Sequence, residues 1–140
     1  MNRELVPFSL YDEIDLAVRH HDVHVLITAH DAAVRRRLAQ HIHDHSCGTG
    51  TFVMLHHVNE CAINPLQLGQ ATVYIDDVGA CDPQQQAALM RLLDHRAEVA
   101  ATSWRVIATS DAHLYGSVLA GTFLADLYYR LAVMHIVIPE

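Results

Sequence analysis

Apolar positions along the chain alternate between two periods. Ile14, Leu16, Ala17 and Val18 lie among acids between Tyr11 and His20, which predicts a short amphipathic helix, and Val23 to Thr28 (VHVLIT) follows as a compact β-branched run. Val34, Leu38 and Ile42 recur every fourth residue within Ala32 to His45, predicting a second helix, and Thr51 to Leu55 reads as a second strand after the turn residues Gly48, Thr49 and Gly50. An irregular stretch around Asn64-Pro65 precedes a third strand, Thr72 to Ile75. A helix is expected from Pro83 to His95: Asp82 suits the N-cap, Pro83 the first turn, and Gln85 completes a capping box. Arg105 to Thr109 is read as a fourth strand, Phe123 to Leu131 as one or two helical turns, and His135 to Ile138 as a fifth strand. Near-continuously apolar strands separated by helices imply an α/β fold, a mainly parallel five-stranded sheet covered on both faces. Binding groups in such a sheet belong at the strand C-termini.

Composition narrows the range of functions. At 140 residues, 51% hydrophobic, the chain suits a single domain over residues 1–140. Its net charge is −7 with histidines neutral, and all nine basic residues are arginine, so no basic face stands ready for nucleic acid. Cys47, Cys61 and Cys81 are odd in number and lack CxxC spacing, which suits a reducing compartment. No apolar run reaches membrane-spanning length and no leader pattern opens the chain; a cytoplasmic location is expected. The twelve histidines make the charge strongly pH-dependent between about pH 7 and 5.5. His41 and His45 stand at i,i+4 and can share a metal, but the dispersal of the others reads as compositional bias rather than a metal centre.

Candidate chemistry concentrates at Val73-Tyr74-Ile75-Asp76-Asp77-Val78-Gly79, a buried strand that delivers two carboxylates. Phosphate-loop nucleotidases hold magnesium and polarise water in this way, but their loop also needs a lysine, and this chain has none.

Several segments carry a family resemblance in order: Val25-Leu26-Ile27-Thr28, Ile42-His43-Asp44-His45-Ser46, Thr51-Phe52-Val53, Thr72 to Val78, Gln86 to Leu93, Arg105-Val106-Ile107-Ala108 and Phe123 to Pro139. The most specific is Asp126-Leu127-Tyr128-Tyr129-Arg130-Leu131. Together they resemble the AAA+ domain of sigma-54-dependent transcription activators, which implies a three-layer αβα P-loop NTPase core, here without the helical lid. The family's ligand is ATP with magnesium. Ala29 to Arg36 (AHDAAVRR) stands where the family has GESGTGKE, so Ala29 and Val34 replace two loop glycines, Arg35 the lysine, and Arg36 follows. Glycine lets backbone N–H groups converge on phosphate, whereas β-branched valine resists that geometry and a planar guanidinium does not reproduce a compact ammonium. Each lost charge-assisted hydrogen bond removes about 1.5–3 kcal/mol.

The resemblance maps Asp76 to the magnesium side and Asp77 to a catalytic glutamate, about 1.5 Å shorter in reach. Asp111 occupies a sensor asparagine position and Leu124 that of an arginine finger; Arg130 persists. A finger contributes a factor of about 10³–10⁵ in related systems. Only 21 residues separate Phe52 from Tyr74, with no counterpart of the GAFTGA loop that engages sigma-54.

The expectation is therefore a degenerate ATPase with no cofactor in use: Asp76, Asp77 and Arg130 are catalytic remnants, Asp76 a weak metal ligand, and Ala29, Val34, Arg35, Arg36 and Asp111 a degenerate nucleotide site. Arg35, Arg36 and Arg37 are read as a solvated charged face. The expected role is protein–protein interaction in transcription regulation, with an activator subunit or a sigma factor of RNA polymerase as partner, without membrane or direct nucleic-acid contact, as monomer or dimer rather than a ring. The alternative is an atypical ATP-binding domain that works only with a partner or in a longer chain. A phosphoacceptor receiver domain would require a lysine after its fifth strand.

Overall fold

A computed structural model describes residues 8–20, 22–46, 50–55, 71–98 and 104–139. Helix α1 (Phe8–Arg19) leads into β1 (Val25–Thr28), α2 (Ala32–His45) and β2 (Thr51–Leu55). Then come β3 (Ala71–Ile75), a 3-10 turn (Val78–Ala80), α3 (Pro83–Glu98), β4 (Arg105–Ser110), α4 (Leu114–Ala120), α5 (Ala125–Leu131) and β5 (Met134–Val137). The five strands form one sheet in the order β2-β3-β4-β1-β5. Each neighbouring pair is parallel, with Val25 opposite both Ile107 and Met134, and Val73 opposite Val106.

Side-chain alternation along the strands splits the core into two layers. Leu26, Val73, Ile75, Val106 and Ala108 face Leu89 and Leu93 of α3, Leu114 of α4, and Leu127 and Leu131 of α5. Val25, Ile27, Tyr74, Ile107 and Ile136 face Ala17 of α1 and Ala39 and Ile42 of α2. Because β1 and β4 are adjacent while their following helices cover opposite faces, a crevice opens between the C-terminal ends of these two strands.

Buried positions throughout β3 and β4 match the continuous apolar runs expected of central strands. The capping box of α3 forms as expected, with Asp82 N donating to Gln85 Oε1 and Gln85 N to Asp82 Oδ1, each at 2.8 Å. Two elements are additions to the expected set: the 3-10 turn and α4, which closes on Gly121 at φ +82. Phe123 and Leu124 are not helical; α5 starts at Ala125, with Phe123 buried beneath it. Gly48, Thr49, the stretch around Asn64-Pro65 and most of the interval between Phe52 and Tyr74 lie outside the described residues.

One charge lies deep in the core. Arg105 is 1% exposed; its Nη1 donates to the carbonyls of Ala17, His20 and Val23 at 2.8, 3.2 and 3.4 Å, and its Nη2 to Ser46 Oγ at 2.9 Å. Burial lowers its pKa to about 10, with Asp22 opposing, so it stays charged at neutral pH and ties the ends of α1 and α2 to the start of β4.

Candidate functional site

Asp76 closes β3 and projects toward the crevice beside β4. Its Oδ1 accepts from the Tyr74 hydroxyl at 3.0 Å and the Thr109 hydroxyl at 2.9 Å. Its Oδ2 faces the Arg36 guanidinium at 4.0 Å. Both partners of that pair are partly exposed, so the attraction contributes no more than about 1 kcal/mol. The pair places a cation beside one oxygen of the acid that ends β3. Burial, then the Asp76 charge, raises the Tyr74 phenol above its ordinary range, which keeps it a donor.

Asp77 adopts a left-handed conformation, φ 51, the sole positive φ of a non-glycine among the described residues. Aspartate tolerates this region better than most side chains, and the conformation turns the chain from β3 into the 3-10 turn while the Asp77 amide donates to Thr109 Oγ1 at 3.0 Å. Thr109 thus ties both acids to β4. Its alternation within the strand carries no signal of this in the sequence.

The segment after β1 is occupied by its own side chains. Asp31 is the N-cap of α2, and its Oδ1 accepts from Ala33 N at 2.7 Å and Val34 N at 3.4 Å. These amides belong to the first turn of the helix, whose N–H groups lack intrahelical partners and can serve an anion. Arg35 is not part of a solvated face: it is 6% exposed, and its Nη1 donates to Ala29 O at 2.9 Å and His30 O at 3.5 Å. The physical reason is the helical period, which turns position 35 toward the core while leaving Arg36 and Arg37 exposed. Asp31 went unrecognised in the sequence, although an aspartate directly before a helix start is itself a cap signal.

Two recesses flank these groups. One of about 380 Å³, largely apolar, is lined by Ala29, His30, Asp31, Val34, Ile138 and Pro139. The other, of about 190 Å³, is lined by Asp77, Gly79, Ala80, Asp111, His113, Leu114 and Ser117. Asp111 spends one carboxylate oxygen on the His113 amide at 2.8 Å. At the C-terminal ends of β1 and β4, Thr28 Oγ1 lies 2.7 Å from His135 Nε2 and 3.5 Å from Ser110 Oγ.

The remaining site candidates are dispersed. Arg130 lies apart from the acids, paired with Asp94 of α3 and Asp126 of its own helix. Leu124 is 47% exposed and its amide donates to Gln86 Oε1 at 2.9 Å. Of the tyrosine pair, Tyr128 is a packing residue and Tyr129 is 61% exposed. Cys81 sits near the acids but is no nucleophile: burial, with Asp82 and Asp77 adding, raises its pKa to about 11. Among the described residues, no three metal-ligating side chains converge, and no helix is long and apolar enough to cross a membrane.

Comparison with known proteins agrees with this architecture. Residues 66–137, about half of the chain, match the model of the Sigma-54 interaction domain family. The chain is similar to nitrogen fixation protein AnfA of Azotobacter vinelandii, 36% identical over 80 residues, or 52% of this chain and 15% of that protein. It is also 32% identical over 77 residues to the regulatory protein AtoC of Escherichia coli (strain K12), covering 50% of this chain and 17% of AtoC. The matched segment therefore spans roughly a sixth of the length of these relatives. Among solved structures, NtrX from Brucella abortus in complex with ATP superposes with a TM-score of 0.76 at 21% identity, over 99% of this chain and 36% of NtrX. The P-loop NTPase domain of a sigma-54 activator from E. coli superposes with a TM-score of 0.70 at 17% identity, over 100% of this chain and 99% of that one. At these identities the structures speak for the fold, the α/β P-loop NTPase core, and the family match speaks for descent. The chain belongs to the Sigma-54 interaction domain family and is related to the sigma-54-dependent transcription activators.

Proposed function

We propose that this chain is a single, nucleotide-independent member of its family, serving transcription regulation through contact with a protein partner rather than through ATP hydrolysis. The observation that carries this reading is the carboxylate of Asp31 on the amides of Ala33 and Val34. A bound phosphate would need those donors and would meet a like charge there, a repulsion of about 1–4 kcal/mol per charge pair at 4 Å. Arg35 supports the same reading, because it is buried and its Nη1 donates to the loop carbonyls of Ala29 and His30. So does Arg36, which stands against Asp76 on the metal side. Asp77 and Asp111 are in this view structural residues, Arg130 a surface ion-pair partner, and Leu124 a replacement that has given up the finger's charge. An activator subunit or a sigma factor of RNA polymerase fits the family's role as partner.

The test is calorimetric titration of the purified chain with MgATP, alongside a phosphate-release assay. No heat of binding up to millimolar nucleotide and no turnover are expected. Magnesium-dependent turnover that disappears in Asp76→Ala would refute the proposal. It would favour instead an atypical ATP-binding domain that retains its chemistry.

A further inference from the structure

The last turn of α2 carries an arrangement that the nucleotide site does not use. His41 and His45 are both exposed, one helical turn apart, with ring centroids separated by 4.1 Å and planes inclined by 31°. Residues at i and i+4 share one face of a helix with Cβ atoms about 5–6 Å apart. The two rings rest face to face, and a turn of the exposed His41 side chain would bring a ring nitrogen of each toward a common point. The His45 ring is already oriented. Its Nδ1 lies 2.9 Å from the His41 carbonyl oxygen, and since a carbonyl can only accept, Nδ1 carries the proton. That fixes the tautomer in which Nε2 keeps its lone pair, the same outer hydrogen bond that orients histidine ligands in metal proteins.

The surroundings favour a cation. The site lies at the helix C-terminus, where the aligned peptide dipoles present partial negative charge. Asp44, adjacent on the same turn and exposed, adds a carboxylate whose Oδ1 accepts from Gln40 Nε2 at 2.8 Å. His43, between the two, points elsewhere: its Nδ1 is 2.7 Å from Thr72 Oγ1 and its ring packs on Phe52.

We propose that His41 and His45 form a two-imidazole clamp on the surface of α2 for a divalent transition metal of zinc type. Two nitrogen ligands leave two tetrahedral positions for water or for a ligand from another molecule. Imidazole selects zinc over magnesium, which prefers oxygen, so the clamp is separate from any magnesium chemistry at Asp76. It does not rest on the nucleotide-independent reading and stands or falls without it.

The test uses the full chain without an affinity tag. Zinc is titrated while the side-chain nitrogen resonances of histidine are followed by long-range proton–nitrogen correlation, and affinity is measured by calorimetry. The Nε2 signal of His45 and a ring-nitrogen signal of His41 are expected to shift first and together, and magnesium is expected to leave them in place. His41→Gln and His45→Gln should each weaken this event by about tenfold or more. His113→Gln, a lone exposed histidine, should not, and circular dichroism will show whether each variant keeps its helix content. Unmoved His41 and His45 signals at millimolar zinc, or wild-type zinc affinity in the folded His41→Gln variant, would overturn the proposal.

Discussion

His135 shows how a single residue can couple this fold to pH. It lies on edge strand β5 with its Nε2 2.7 Å from Thr28 Oγ1 and its ring edge-on to Tyr128. Burial holds its pKa below the ordinary imidazole value of about 6.5. With the folded value depressed, the unfolded chain takes up the proton first. The contribution of His135 is therefore complete above about pH 6.5 and is lost as pH falls through the folded value. The urea midpoint of the wild-type chain is expected to decline in that acidic window, and His135→Gln, which cannot titrate, to decline less steeply. Equal slopes for the two proteins would exclude this role. None of this was legible in the sequence, where His135 is one of twelve dispersed histidines, because the contact with Thr28 joins residues 107 positions apart.

At the scale of elements, α2 and α4 mark the two limits of what the pattern reveals. Val34, Leu38 and Ile42 gave α2 its full extent, since a fourteen-residue helix repeats its period several times. Helix α4 has seven residues, LYGSVLA, no charge and a glycine inside, and so offers no period to read. Burial and its C-terminal turn make it: Leu114 packs into the core, and the Ser117 carbonyl accepts from the amides of Thr122 and Phe123 just past the helix end. Gln86 then joins α3 to the segment after α4, its Nε2 donating to the carbonyls of Cys81 and Thr122 while its Oε1 accepts from Leu124 N. The start of α2 permits a direct measurement. Asp31→Ala removes the cap and should lower stability by about 1 kcal/mol, a fall in Tm of roughly 2–4 °C for a domain near this size. An unchanged melting curve would mean that the amides of Ala33 and Val34 do not depend on Asp31.

For the whole molecule, the parallel sheet and the helices on both faces follow from strand runs separated by helices together with the requirement that each apolar face be covered, whereas the strand order β2-β3-β4-β1-β5 does not follow from that pattern. The resemblance to the sigma-54 activators was legible as ordered motifs, and the family match over residues 66–137 bears it out. The internal occupation of the loop was only partly legible: the Asp31 cap is local and its signal stood in the sequence, whereas Arg36 meets Asp76 only once β3 and α2 are assembled. Assembly state belongs at this scale too. With Leu124 carrying no charge across a boundary and a net charge of −7 opposing self-association, sedimentation should give the mass of one or two chains, the same with or without MgATP. A nucleotide-induced ring would contradict it.

The Asp31 carboxylate is tethered to the helix it caps, so its effective concentration at those amides is set by a two-residue link and not by the surrounding solution. Dissolved nucleotide competes as a dilute stranger against a resident. On the proposed reading, the loop then keeps one shape in starved and well-fed cells alike. A module of this kind reports nothing about energy charge, and whatever timing it shows in transcription is set by the arrival and departure of its partner.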